Sequence, residues 1–327
     1  MKKYLIFLLC LMTLGCTHTT NENTNTPTLK VAATIYPLAY FTQQIGGQYV
    51  NVTQLVEDDV DIHNYKITIQ ALNNAQSSDL ILYIDPTLET YVNDLLYIID
   101  ENTLSSVNIL ERVKEQTAPE IGQGQTLING TLTVEESSDS TQTPPQNPNS
   151  RTTPSYSKQY NHLWLHPSYA LIMCDIIKND LTSLRPEYEA IFQANYDNLK
   201  EELLNLNRVF QTLTTASNKY FMTTHDAFST WQSYGLIETP ILDYYGNEPT
   251  QEDLQQLIQA SITLNLRYLF YEPNLDSNLI NQIQSDFNLE PIPLYNLATL
   301  TKEQVENDDD YFSIMYSNIN NLKKEVY

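Results

Sequence analysis

Two histidines stand four residues apart in Asn161-His162-Leu163-Trp164-Leu165-His166-Pro167, in a chain of 327 residues that holds only five histidines. Neutral imidazole is a ligand for borderline divalent cations, and a helical pair at this spacing would be a metal site. The stretch does not read as such a helix. Pro167 pushes His166 out of the helical region. In an extended chain the two rings would share a face but stand about 13 Å apart. Ligands of one ion sit about 2 Å from it, so the two could not share it. No glutamate occupies the position that the HExxH helix of zinc peptidases requires. One of His162 and His166 is therefore a bystander, and the residues alone leave open which.

Two further histidines sit where ligands bind in open parallel sheets, just past the carboxyl ends of strands. His63 follows "LVEDDVDI" after a period-two run, and His225 directly follows "KYFMTT". A lone histidine is more often a hydrogen-bonded structural residue. Several at equivalent places in two halves of a chain shift that balance toward a shared site.

The elements that must position them alternate strand and helix. "LKVAATIYP" predicts a strand running into a helix over 38–44 that stops at Gly46-Gly47. Strands follow at 49–56, 79–85 and 106–110, with helices at 68–76 and 87–100. A segment from 115 to 160, rich in Ser, Thr, Pro, Gln and Asn, reads as a mobile loop with a hairpin arm near 128–134. Helices follow at 167–184 and 186–216, the second about 45 Å long at 1.5 Å per residue, long enough to join two domains. Alternation then resumes. Strands fall at 219–224, 238–244, 267–272 and 290–296, and helices at 227–235, 250–265, 277–288 and 309–326. This pattern predicts an α/β fold of two lobes, each a mostly parallel sheet flanked by helices, joined by one long rigid helix. The lobes run 29–185, including the 115–160 loop, and 217–327, with 186–216 between them.

The amino terminus reads as a targeting segment. Lys2-Lys3 precede an apolar run from Tyr4 to Leu14, too short to span a bilayer comfortably. "TLGC" resembles a bacterial lipoprotein cleavage box, giving a signal peptide over 1–15 and lipidation of Cys16. Residues 16–28, which include His18, form a flexible polar tether. Of three cysteines, Cys10 lies in the signal and Cys16 carries lipid, so Cys174 has no partner and is expected as a small core residue. The formal net charge of −23 argues against nucleic acid as a partner.

Taken in order, several blocks carry a resemblance to the metal-binding receptors of bacterial ABC importers for zinc and manganese. "VAATIYPLAYFTQQIGG" is similar to the family's opening strand and helix, "DIHNYKIT" to its first histidine motif, "NHLWLHP" to its "PHxWLDP" and "FMTTHDAFSTWQSYGL" to its third histidine motif. "GNEPTQEDLQQLI", "YLFYEPNLDSNLI" and "LTKEQVENDDDYFSIMYSNINNLKK" match the remaining blocks. The resemblance runs from about Lys30 to Val326 with a gap in 115–158. It implies His63, His162 and His225 as metal ligands, with His166 in the place of a family aspartate and hence the bystander. For a fourth ligand it offers Asn296, an amide and a poor ligand, or Glu272, which is preferred.

Three imidazoles and a carboxylate favour Zn2+ over the harder Mn2+. The resemblance further implies a monomeric receptor outside the cytoplasm, anchored to the membrane by lipid and handing zinc to an ABC permease. A manganese receptor, a surface adhesin and a metal-dependent hydrolase are the alternatives. The hydrolase needs an open coordination position and a base beside it, and no glutamate adjoins a ligand histidine. Asp226 and Asp243 are candidates to orient the imidazoles. The chain departs from zinc-type members in having no histidine in its long acidic loop and in placing Lys66 near His63.

Overall fold

A computed structural model describes residues 28–99, 104–121, 125–128, 131–134, 162–275 and 286–327. The signal, the tether, Cys16, the 135–160 part of the loop and most of the helix expected over 277–288 lie outside these residues.

Strands β1 (Leu29–Ala33), β2 (Val50–Gln54), β3 (Leu80–Tyr83) and β4 (Ser105–Asn108) form one parallel sheet in the order β2-β1-β3-β4. Helices α1 (Tyr36–Gly46), α2 (Ile69–Gln76) and α3 (Tyr91–Ile98) supply the crossovers. The Ile81 and Leu82 side chains on β3 are fully buried, as expected of a strand covered on both faces. After β4 the chain enters α4 (Ile109–Ile121), where a loop was expected from residue 115, and then a hairpin, β5 (Gln125–Ile128) with β6 (Thr131–Val134).

The second lobe repeats the arrangement. Strands β7 (Tyr220–His225), β8 (Ile237–Leu242), β9 (Tyr268–Tyr271) and β10 (Glu290–Pro293) lie parallel in the order β10-β9-β7-β8. The first sheet thus has a topological switch point at β1/β3 and the second has one at β7/β9. Helix α7 (Gln251–Thr263) starts in a capping box between Thr250 and Asp253. The chain ends in α8 (Lys302–Glu306) and α9 (Tyr311–Val326).

Helix α5 (Pro167–Leu184) packs on α1 and α4 of the first lobe, and α6 (Glu189–Gln211) follows it toward the second. The buried hydrophobic residues of α6, Phe192, Tyr196, Leu199, Leu203, Leu206 and Phe210, recur at alternating intervals of four and three, which makes one apolar stripe. That stripe packs on α1, α5 and α9. The single helix expected over 186–216 is a shorter α-helix framed by 3₁₀ turns at Pro186–Tyr188 and Thr212–Thr215. The carboxyl-terminal turn tightens because the Thr212, Thr214 and Thr215 hydroxyls donate to the carbonyls of Val209, Gln211 and Thr212, three residues back. Cys174 is fully buried in α5, among the core residues.

One hydrophobic cluster runs through both lobes, from Leu29 and Phe41 to Phe221, Phe270 and Tyr311. The Phe41 and Tyr311 rings meet edge-to-face at 4.8 Å. Hydrogen bonds cross as well: Tyr36 N–H donates to Ala298 O at 2.9 Å, Asp59 N–H to Leu300 O at 2.6 Å and Thr299 Oγ1 to Val60 O at 2.8 Å.

Candidate metal centre

Three of the four residues expected to bind metal converge where the lobes meet. One ligand atom from each of His63, His162 and His225 lies within 4.8 Å of the other two. Ring centroids are 4.5 Å apart for His63 and His225, 5.1 Å for His162 and His225, and 6.0 Å for His63 and His162. Each arrives by a different device. His63 sits in the loop after β2. His225 is the last residue of β7, at the second sheet's switch point. His162 occupies the left-handed region, at φ 42°, ahead of a 3₁₀ turn at Leu163–Leu165. A non-glycine residue there is uncommon, though histidine is among those that tolerate it.

That turn corrects the extended reading of "NHLWLHP". Because the segment is coiled, His162 and His166 diverge. His166 is the N-cap of α5: its Nδ1 accepts from Ser168 N–H at 3.2 Å, its Nε2 meets Ser233 Oγ at 2.8 Å, and its ring stacks on Tyr234 at 4.9 Å. It has structural work and no place among the three.

The polar partners of the cluster are uneven. His63 Nδ1 is held by Asp61 Oδ1 at 2.7 Å, and the Asp61 carboxylate also accepts from the His63 backbone N–H. Burial raises the Asp61 carboxyl, but the hydrogen bond and charge of His63 outweigh it, and the net shift is downward. His63 Nε2 and both nitrogens of His162 are buried with no hydrogen-bond partner. Each such atom costs about 1–3 kcal/mol unless something binds it. Burial, reinforced by the neighbouring His225 and His63, holds His162 well below the usual imidazole value, so it is a neutral lone-pair donor.

His225 differs. Burial would lower it, but the Glu272 carboxylate, its hydrogen bond and the Tyr244 carbonyl outweigh burial and raise it to about 9. Its Nδ1 lies 3.2 Å from Glu272 Oε1 and its Nε2 lies 3.1 Å from Tyr244 O. Glu272 follows β9, the neighbour of β7, so the register of two parallel strands presents the pair. The fourth expected residue is therefore at the site and 2 % exposed, but on His225, outside the group of three. Its other oxygen accepts from Asn296 Nδ2.

Asp61 and the Tyr244 carbonyl were not anticipated. Asp61 had a signal, since an aspartate two residues before His63 can accept that residue's N–H in an Asx turn. The carbonyl had none. Of the two anticipated orienters, Asp226 acts on His225 through its charge, whereas Asp243 closes its own turn by accepting from Tyr245 and Asn247 N–H, both at 2.9 Å. Lys66 is exposed.

Comparison with known proteins settles the family. The model of the zinc-uptake complex component A, periplasmic (ZnuA), matches residues 31–325. The chain belongs to the ZnuA family. Zinc-binding lipoprotein AdcA of Streptococcus pneumoniae strain R6 is 25 % identical over 328 residues, covering 99 % of this chain and 61 % of the relative. The chain thus spans about three fifths of the AdcA proteins it matches. The high-affinity zinc uptake system protein ZnuA of Bacillus subtilis strain 168 is 24 % identical, covering 91 % of this chain and 88 % of that protein. The fold is that of the Zn(II)-bound ZnuA-like domain of S. pneumoniae AdcA, with a TM-score of 0.68 at 22 % identity over 92 % of this chain and 99 % of the other. It is equally that of the periplasmic zinc binding protein TroA of Treponema pallidum, with a TM-score of 0.72 at 17 % identity over 92 % and 99 %.

Proposed function

We propose that this ZnuA-family chain is an extracytoplasmic receptor that takes Zn2+ between its lobes and delivers it to the permease of an ABC importer. The single observation that carries this reading is the meeting of His63, His162 and His225, with buried imidazole nitrogens that have no protein partner. A mainly imidazole donor set suits Zn2+ better than Mn2+, which prefers carboxylate and carbonyl oxygens. His225 would bind through Nε2, the nitrogen not held by Glu272, giving up that proton and its contact with the Tyr244 carbonyl. Glu272 works at the centre from behind that ring, and Asp61 does the same for His63. This is the usual arrangement of carboxylates around metal-bound histidines.

The centre is for binding, not catalysis. Hydrolysis needs a base free to take a proton from bound water, and the nearby carboxylates of Asp61 and Glu272 are engaged by the histidines. Lipidation of Cys16 and the tether over 16–28 would hold a monomeric body at the membrane surface, over its permease. Within the body, the linking helix joins a lobe ending at 185 to one starting at 217. Competitive titration of the metal-free chain with Zn2+ and Mn2+ is the test. One Zn2+ per chain, bound more tightly than Mn2+, is the expected result; a preference for Mn2+ or no stoichiometric binding overturns the reading.

A further inference from the structure

Asn296 is held from two directions and aims its side-chain amide N–H at Glu272. Its backbone carbonyl accepts from Trp164 Nε1 at 2.6 Å, and its Oδ1 accepts from Ala298 N–H at 2.9 Å. With Oδ1 committed to an N–H, the amide orientation is fixed and Nδ2 must face Glu272 Oε2. The next residue, Leu297, takes a left-handed φ of 59°. For a bulky side chain that is a true outlier, tolerated where the surroundings over-determine it. Trp164 lies two residues after His162, and their rings are 5.1 Å apart. Asn296 therefore touches both the turn that presents His162 and the carboxylate that holds His225.

We propose that Asn296 is a positioning residue of the metal centre: by donating to Glu272 it keeps that carboxylate on His225 Nδ1, and so sets the rotation of a zinc-binding ring relative to His162. Both oxygens of Glu272 are then spoken for, one by each neighbour. Free of Asn296, the carboxylate would turn about its own bonds and His225 would lose its support. The inference rests on the zinc-receptor reading, and it adds a residue whose amide, unlike a carboxylate, can act only as a clamp.

Exchange of hydrogen-bond polarity tests it. Asn296→Asp keeps the side-chain shape and both anchors but sets two carboxylates face to face. Zn2+ affinity should fall by about 10- to 100-fold, as is typical when a ligand's outer partner is lost. Adding Glu272→Gln to the same chain should restore it to within a few-fold of the parent. The amide introduced by the second substitution can donate to the carboxylate introduced by the first, and its oxygen can still accept from His225. Melting of each metal-free variant checks that it is folded, and a purely structural role for Asn296 would show no such rescue. The inference is overturned if Asn296→Asp binds Zn2+ like the parent, or if the double variant is no better than Asn296→Asp alone. Failure of the parent chain to bind Zn2+ would instead remove the receptor reading.

Discussion

At the scale of single residues, the histidines divide by what else they do. His166 is a cap and a stacking partner, so His166→Ala should cost about 2 kcal/mol of stability through the lost cap and the lost Ser233 bond. Its Zn2+ affinity should stay within a few-fold of the parent. His162→Ala should show the reverse, a loss of Zn2+ affinity beyond the ~10- to 100-fold of an outer partner with little loss of fold, because neither ring nitrogen has a protein partner. Denaturant unfolding and competition titration on both variants check this, and equal affinity losses would contradict the assignment. The charge state of His225 sets the pH response. In the metal-free fold the ring is raised from 6.5 to about 9. Its pairing with Glu272 stabilises that fold fully below about pH 6.5 and is lost as pH climbs through about 9. In the proposed receptor zinc takes the neutral ring, so apparent affinity should rise by about tenfold per pH unit over that interval and flatten above it. Metal-free stability should decline over the same range. The Glu272 contact moves the transition above the ordinary histidine value. Affinity that does not change from neutral pH to about 9 would contradict the pairing.

At the scale of elements, the junction of α1 and β2 shows how tightly the first lobe is built. A Cβ on Gly46 would lie 2.3 Å from both Val50 methyl carbons, and Gly47 has a φ of 55°. Gly46→Ala should therefore destabilise by about 1–3 kcal/mol while leaving Zn2+ affinity intact, which thermal unfolding and titration together read out. That Gly-Gly stop was legible in the sequence, as were the eight sheet strands, because buried runs and period-two alternation report directly on the pleat. The apolar stripe of α6 was legible for the same reason at helical period. What stayed hidden was local. A 3₁₀ turn such as Leu163–Leu165 leaves no periodic trace in three residues, so "NHLWLHP" reads as extended although His162 turns left-handed there. The 3₁₀ form of Ser229–Tyr234, expected as a helix over 227–235, escaped in the same way. The three histidines that meet were picked out by their motifs; the contacts of the Tyr244 carbonyl with His225 and of the Asn296 amide with Glu272 were not, because they depend on tertiary register that no spacing records.

At the scale of the whole molecule, the lobes are joined by more than a connector. A shared apolar core, the Phe41–Tyr311 contact and the hydrogen bonds from residues 298–300 to Tyr36, Asp59 and Val60 fasten them. Large hinge closure would have to break these together. Small-angle scattering of the metal-free and zinc-loaded chain should therefore give superimposable profiles, and a marked contraction on loading would show a hinge that this packing forbids. In the proposed receptor, histidines from two lobes converge on one zinc ion. X-ray absorption at the zinc edge of the chain loaded with one equivalent tests it most directly. The expected signal is three imidazoles with nitrogen at about 2.0–2.1 Å. A sulfur shell, or imidazole scattering from a single ring, would contradict it.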